Sequence, residues 1–164
     1  MSKIWRRMTL KSLKVFSSIA AFIAMQNPAF AGPVIDIMSA PPLLNKAERA
    51  FDKGRYDYVV RLLNGKLGIF KPNAQGRAAS LLCQSQVQLG KASAAIDACT
   101  LSIDLAPTHW ADLNARGGAY YSLGNYSKAA EDFAQAARLA PYQRQVKANL
   151  RVAERARSRQ IASQ

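Results

Sequence analysis

The sequence has few of the residues that carry out most enzyme chemistry. Among 164 residues it has one histidine, His109, and two cysteines, Cys83 and Cys99, which lie 16 positions apart. Neither their number nor their spacing matches a metal site. No serine has a plausible base to activate it, and no glycine-rich loop follows a strand pattern, which argues against acyl transfer and phosphate binding. We therefore expect a protein that is not an enzyme and that needs no metal and no cofactor.

Acidic residues are scarce as well. The chain has 10 Asp and Glu residues and 23 Lys and Arg residues, which gives it a net charge of +13. Five of the positive charges lie in the first 31 residues, and without that segment the net charge falls to +8. A basic surface of this kind favours anionic partners. The remaining length is sufficient for one domain with a hydrophobic core.

Only one long apolar run is present, VFSSIAAFIAM at Val15–Met25. It follows the five basic residues, and at about 11 residues it is too short to cross roughly 30 Å of hydrocarbon as a helix. Small residues follow at Ala29 and Ala31, as signal peptidase requires. The pattern predicts a signal peptide over residues 1–31, cleaved before Gly32, with an uncleaved membrane anchor as the alternative. We expect an exported protein, periplasmic or extracellular, and because nucleic acid is scarce there, we do not expect it as a partner.

Two segments of the chain repeat with a period of 34 residues. QLGKASAAIDACTLSIDLAP (Gln88–Pro107) aligns with SLGNYSKAAEDFAQAARLAP (Ser122–Pro141), and both end in Leu-Ala-Pro. Each has a Leu-Gly pair between two apolar stretches, and glycine closes helices readily. Apolar residues at three- and four-residue spacings predict one packed face in the second copy. These residues are Tyr120, Leu123, Tyr126, Ala130, Phe133, Ala137 and Leu139.

Paired helices with this period resemble the tetratricopeptide repeat (TPR), whose pattern runs Trp-x2-Leu-Gly-x2-Tyr, then Ala-x3-Phe, then Pro. In the last unit the matching positions hold Leu113, Arg116, Gly117, Tyr120, Ala129, Phe133 and Pro141. Leu113 and Arg116 depart from the pattern. The middle unit holds Ala79, Leu82, Cys83, Gln86, Ala95, Cys99 and Pro107 at these positions, and it lacks the large aromatic residues. An earlier unit ends at Pro72, with about two extra residues expected in its NGKLG loop.

The resemblance implies an all-α fold, a right-handed helical-repeat solenoid of about three TPR units followed by a capping helix. The segments are a linker over 32–42 and a TPR domain over 43–164, with units over 43–72, 76–107 and 110–141 and a capping helix over 143–160. A single helix pair cannot bury its apolar face, so a cap is needed. Val146, Leu150 and Ala153 form the face that we expect to cover the last unit.

The resemblance also implies a partner-binding surface, because the first helix of each TPR pair lines the concave side of the array. The residues that we expect to bind a protein or peptide partner there are Phe51, Arg77, Gln84, Asn114 and Tyr121. Tyr121 either anchors a partner side chain or packs against the neighbouring helix. Some TPR proteins hold a peptide carboxyl terminus with basic and amide side chains, but here Leu44, Glu48 and Ser80 occupy those positions, which argues against that use.

The C-terminal segment carries a basic surface at four-residue intervals, formed by Lys147, Arg151, Arg155 and Arg159. This spacing places the four side chains on one face of the capping helix. The face is either a solvated exterior or a docking site for an anionic envelope surface.

Cys83 and Cys99 occupy inward-facing places on the two helices of the middle unit in the TPR register. Antiparallel helices can bring two such residues within bridging distance, and an exported protein meets an oxidising compartment. We predict a disulfide, with two buried free thiols as the alternative.

These features lead to two functional hypotheses. The first is a non-catalytic interaction module or adaptor of the bacterial cell envelope that binds a peptide or protein partner in the concave TPR groove. The alternative is a peripheral envelope protein that docks on anionic lipid or polymer through its basic C-terminal helix. The oligomeric state is left open by the sequence.

Overall fold

A computed structural model of the chain describes residues 41–163, and the signal peptide, its cleavage site and nearly all of the linker lie outside this range. Within it the structure has seven α-helices and no strand, so the predicted all-α class is confirmed. The helices are α1 (Pro42–Asp52), α2 (Tyr56–Leu63), α3 (Pro72–Gln88), α4 (Ala92–Leu105), α5 (Trp110–Ser122), α6 (Tyr126–Leu139) and α7 (Arg144–Ala162). In residues 41–163, no helix is both long enough and apolar enough to cross a lipid bilayer.

The six helices before α7 form three pairs, α1–α2, α3–α4 and α5–α6, and each pair turns at a glycine. Gly54, Gly90 and Gly124 have φ angles of 66°, 69° and 75°, a left-handed conformation that glycine adopts without steric cost. The residue after each glycine donates its backbone N–H to a carbonyl of the preceding helix, as in Asn125 N to Tyr120 O at 2.9 Å. This pattern satisfies carbonyls that the helix end would leave free.

The first unit closes with a longer loop than the other two, since eight residues (64–71) separate α2 from α3 and four residues separate α4 from α5 and α6 from α7. Helix α2 ends at Leu63, Gly65 follows with a φ of 72°, and a short 3-10 helix covers Leu67–Ile69. Phe70 then turns inward and is buried before α3 begins. The NGKLG segment, in which extra residues were expected, lies in this loop.

Small residues allow the two helices of the third pair to approach closely. A Cβ atom on Gly117 would lie 2.9 Å from two ring atoms of Phe133, closer than atoms of this kind approach one another. Phe133 in turn belongs to a buried cluster with Ala129, Ala130 and Ala153. The ring thus occupies the space that the missing side chain of Gly117 leaves.

The prediction that two leucines of this pair lie on its packed face is wrong. Leu123 is 52% exposed and Leu139 is 40% exposed, and the equivalent Leu89 and Leu105 are similarly exposed. Leu123 follows the last residue of α5 and Leu139 is the last residue of α6. Both thus lie at a helix end, and the equivalent Leu105 lies against Gly76 of α3 while 39% of it stays exposed.

Helix α7 packs on the third pair with the face that was expected to form the cap. Val146 is 1% exposed and Ala153 is fully buried, and Leu150 packs, partly buried, against the cluster around Phe133. The apolar face of α5–α6 is therefore covered by one further helix.

Candidate functional site

A row of polar side chains joins the first helices of the three pairs to one another and to α7. We call this row the polar seam, and it consists of Glu48, Arg77, Ser80, Gln84, Asp112, Asn114 and Asn149. Arg77 on α3 forms an ion pair with Glu48 on α1, and its side chain remains 57% exposed. At the other end Asn149 Nδ2 on α7 donates to Asn114 Oδ1 on α5 at 2.9 Å. Three of the predicted partner-binding residues, Arg77, Gln84 and Asn114, thus each contact a neighbouring helix.

Asp112 lies at the centre of the seam and is fully buried. Its Oδ1 accepts hydrogen bonds from Ser80 Oγ at 2.7 Å and from Gln84 Nε2 at 3.2 Å. Its Oδ2 accepts one from Ser102 Oγ at 2.5 Å and lies 2.7 Å from Nδ1 of His109. Asp112 is in the first turn of α5, where a carboxylate is stabilised by the helix dipole. One carboxylate therefore links α3, α4 and the start of α5.

The two predicted aromatic residues lie at the turn end of their helices rather than in the seam. Phe51 packs against Tyr56 with ring centroids 5.4 Å apart, and Tyr121 packs against Tyr126 at 5.1 Å. The pairs occupy equivalent places in the first and third units, each bridging a turn glycine. Both Phe51 and Tyr121 are partly exposed. Tyr121 therefore packs on the second helix of its own pair and still offers part of its ring to a partner.

Arg116, which departs from the TPR pattern, forms an ion pair with the buried Asp132. Its Nε and Nη2 donate to the two carboxylate oxygens of Asp132 at 2.8 and 2.9 Å, and its Nη1 donates to Thr100 Oγ1 at 3.1 Å. The hydrogen bonds to Asp132 raise the pKa of the Arg116 guanidinium above its usual value. This contact fastens α5 to α6 and to α4, so the arginine replaces an apolar contact with a paired charge.

Three cationic side chains lie close to the ring of Tyr58 on α2. The Arg55 guanidinium lies 4.8 Å from its ring centroid, and Lys46 and Arg61 each lie 5.5 Å from it. The hydrogen bond from Lys46 is the largest cause that lowers the pKa of the Tyr58 hydroxyl. This cluster lies outside the polar seam and makes the surface of the first pair basic.

Cys83 on α3 and Cys99 on α4 form a disulfide bond in the structure, with their Cα atoms 4.8 Å apart. Both residues are fully buried. In the third pair the equivalent places hold Gly117 and Phe133, the close contact described above. The middle pair thus has a covalent bond where its neighbour has an aromatic ring.

The basic surface of α7 is exposed along its whole length. Lys147, Arg151, Arg155 and Arg159 are all exposed, and over residues 41–163 none has a carboxylate within 4 Å. The same part of the chain holds no group of three or more His, Cys, Asp or Glu placed to bind a metal ion.

Comparison with known proteins identifies the repeat. Residues 84–162 match the sequence model of the tetratricopeptide repeat family. Residues 84–162 therefore carry tetratricopeptide repeats. Comparison with curated protein sequences finds no match.

Solved TPR structures have the same fold as this TPR protein. The first TPR domain of human RPAP3, determined by NMR, superposes with a TM-score of 0.64 at 20% identity, covering 74% of this chain and 94% of that domain. The first TPR domain of RPAP3 (Spaghetti), bound to the HSP90 peptide SRMEEVD, gives a TM-score of 0.62 at 21% identity, covering 71% and 93%. The predicted TPR family and solenoid fold are confirmed.

Sequence reasoning missed the residue on which the seam of this TPR protein depends. Asp112 is not part of the TPR pattern, and the only local signal for it is an acidic residue three positions after His109, near a helix start that follows Pro107. Its partners Ser80 and Ser102 lie on other helices, so the sequence alone did not connect them.

Proposed function

We propose that this TPR protein is a non-catalytic adaptor of the bacterial cell envelope that binds a peptide or protein partner along the polar seam. The observation that carries the proposal is the row of partly exposed donors and acceptors at Arg77, Gln84 and Asn114. Amide and guanidinium side chains of this kind pair with the N–H and C=O groups of an extended peptide. Because these side chains lie on two neighbouring helices, α3 and α5, they match a segment of several residues rather than a small molecule.

Two further observations support a peptide as the occupant. The RPAP3 domain of the same fold is bound to a peptide. Phe51 and Tyr121, at the turn ends of α1 and α5, present partly exposed rings that side chains of a partner can cover. At the places expected for a carboxylate-binding set, this chain has the fully buried Leu44 and the ion-paired Glu48. We therefore expect an internal peptide segment, not a free carboxyl terminus.

The envelope location rests on the signal-like segment over residues 1–31 and on the buried disulfide. Disulfides persist in oxidising compartments and are rare where thiols are kept reduced. Cys83 and Cys99 are joined inside the domain, which supports folding after export.

The first experiment captures partners from a native envelope fraction with the immobilised chain starting at Gly32. Captured proteins are identified by mass spectrometry, and each is then titrated in purified form by calorimetry. The seam variant carries Arg77→Ala, in the polar seam, and Tyr121→Ala, at the turn end of α5. The matched control carries Arg61→Ala and Tyr142→Ala, which removes the same residue types from exposed places outside the seam.

We expect the seam variant to bind the purified partner about tenfold more weakly or worse, since residues central to an interface cost more than 1 kcal/mol when truncated. The control variant should bind as the parent chain does. Both variants must melt within a few degrees of the parent, so that a loss reports the surface rather than the fold. Equal weakening in the two variants would contradict the seam as the binding surface.

A second candidate function is docking on anionic lipid or polymer through α7. It is favoured by the exposed basic surface and by the exposed apolar residues Val152 and Ile161 on the same helix. The test is co-sedimentation with vesicles containing phosphatidylglycerol, compared with phosphatidylcholine vesicles. The variant Lys147→Gln, Arg151→Gln, Arg155→Gln, Arg159→Gln should lose binding, and 0.5 M salt should abolish it for the parent chain. Binding that survives both changes would exclude this function.

A further inference from the structure

Gly118 is a glycine in the middle of α5 that the packing of the fold does not require. A Cβ atom added to Gly118 would meet no atom within 4 Å, whereas one added to its neighbour Gly117 would meet the ring of Phe133. Its backbone is helical and does not have the positive φ angle of the turn glycines. A glycine inside a helix is less stable than an alanine. The fold therefore loses stability at Gly118 without gaining a contact there.

The equivalent positions in the first two pairs hold long polar side chains that reach the next pair. Glu48, Gln84 and Gly118 each lie six residues before the turn glycine of their pair. Glu48 forms an ion pair with Arg77, and Gln84 donates to Asp112, each on the first helix of the next pair. Gly118 has no side chain that could reach α7 in the same way. The polar seam therefore has a gap at this position.

Helices α5 and α7 place Gly118 beside an exposed apolar side chain. Both helices pack on α6 after short connections, so they run in the same direction. Asn149 on α7 donates to Asn114 on α5 at 2.9 Å, which sets these two residues side by side. The next turn along each helix brings Gly118 and Val152 to the same level. Because Val152 is 46% exposed, the gap over Gly118 has an apolar wall on the side of α7.

The wall on the other side is aromatic, and cationic side chains lie nearby. Tyr121 keeps part of its ring exposed and packs against the cluster that α6 and α7 form around Phe133. Arg155 and Arg159 follow Val152 by three and seven positions, which places them on its side of α7. Both arginines are exposed, and within residues 41–163 neither has a carboxylate within 4 Å. The gap is therefore apolar and bordered by positive charge.

We propose that a large apolar side chain of the partner peptide occupies this gap, which we call the apolar notch and which consists of Gly118, Tyr121 and Val152. The absent Cβ atom lets that side chain approach the backbone of α5 closely, and the two walls shield it from water. The two arginines favour acidic residues in the same segment. Packed helices lie about 8–10 Å apart and an extended peptide advances about 3.3 Å per residue, so we expect these acidic residues within about three positions of the apolar one. The inference rests on the proposed peptide-binding function and names the chemistry of the segment that is bound.

The test uses the chain starting at Gly32, with its disulfide intact, and a phage-displayed library of random heptapeptides as the probe. The variant Gly118→Gln fills the apolar notch with the side chain that the second pair has at this position. It should melt at the temperature of the parent chain or a few degrees higher, since glutamine forms helix better than glycine. The control is Gly68→Gln, because Gly68 also has open space around it and lies in the loop after α2.

We expect the heptapeptides selected on the parent chain to carry a large apolar residue with Asp or Glu within three positions. Fluorescence anisotropy with one selected, fluorescein-labelled peptide should show binding at least about tenfold weaker for Gly118→Gln and unchanged for Gly68→Gln. Full binding by Gly118→Gln overturns the inference. If the seam variant then loses this peptide, the proposed function stands, and if the seam variant also binds it as the parent does, both fail. A selection that enriches no heptapeptide overturns the inference as well, and the envelope capture then tests the function separately.

The charge requirement is tested with the same labelled peptide. Arg155→Gln together with Arg159→Gln should weaken its binding about two- to fivefold. Lys66→Gln together with Arg138→Gln removes two exposed charges away from α7 and should leave binding unchanged. Equal weakening by the two charge variants, or selected peptides without acidic residues, overturns the proposed chemistry of the segment.

Discussion

Asp112 is the residue on which the joint between the second and third repeats depends. Four side chains converge on its two oxygens, from α3, from α4 and from the residue that precedes α5. A fully buried carboxylate is tolerated in a fold only when its hydrogen bonds are satisfied. Here the same bonds hold Ser80 and Gln84, so Asp112 also fixes the middle of the polar seam.

We expect Asp112→Asn to lower the free energy of unfolding by about 1–3 kcal/mol, because one carboxylate oxygen becomes an amide that cannot accept from its donors. Urea denaturation followed by circular dichroism measures the change. Asp104→Asn, an exposed carboxylate on α4, should stay within about 0.5 kcal/mol of the parent. If the two substitutions cost the same, the convergence on Asp112 contributes nothing to stability.

For individual residues, the sequence predicts a contact when that contact recurs in each repeat. Gly117 and Phe133 follow from the TPR pattern, since each unit must bring two helices together at the same place. Arg116 was recognised only as a departure, because its partner Asp132 is outside the pattern and lies on the next helix. The partners of such side chains lie on other helices, and the folded arrangement alone sets which residues meet.

At the scale of elements, the middle helix pair is held together differently from the third. The positions of the TPR pattern in the middle pair hold no large aromatic residue. The Cys83–Cys99 bond joins α3 to α4 at the place where, in the third pair, the ring of Phe133 packs on Gly117. A disulfide stabilises chiefly by restricting the unfolded chain. The bond therefore joins the two helices of this pair covalently at the place where the third pair relies on packing alone.

Replacing both cysteines, Cys83→Ala with Cys99→Ala, should lower the free energy of unfolding by about 2–4 kcal/mol. Reductant should lower the melting temperature of the parent chain and leave that of the double variant unchanged. Intact mass after alkylation under non-reducing conditions gives the matching readout, with no thiol modified in the parent. Two modified thiols together with melting that is insensitive to reductant would contradict the prediction.

The elements also show where the pattern stops being informative. The glycine turns and the packed face of α7 were predicted because glycine conformation and helical spacing are local properties. Leu123 and Leu139 were placed on the packed face by the same spacing, but each lies at a helix end and is exposed. Periodicity gives the direction of a side chain, and exposure depends on what lies opposite it.

At the scale of the whole molecule, each pair in the stack contacts only its neighbours, so the stability of the array depends on the cover at its ends. Helix α7 supplies that cover through Val146 and Ala153. Its outward face carries the basic surface, whose charges make no ion pair within residues 41–163. The two faces of α7 can therefore be tested separately.

A chain that ends at Pro141 should melt at least about 10 °C lower than the full chain or aggregate, because the apolar face around Phe133 loses its cover and several kcal/mol of burial are lost. The variant Lys147→Gln, Arg151→Gln, Arg155→Gln, Arg159→Gln keeps the covering face and should melt within a few degrees of the parent, since exposed charges contribute little to stability. Thermal melting by circular dichroism and calorimetry compares the three chains. If the truncated chain melts like the parent, α7 is not a structural cap. If the charge variant is destabilised as much as the truncated chain, the basic surface itself contributes to the stability of the fold. A vesicle-binding assay with that variant would then no longer separate a loss of docking from a loss of folding.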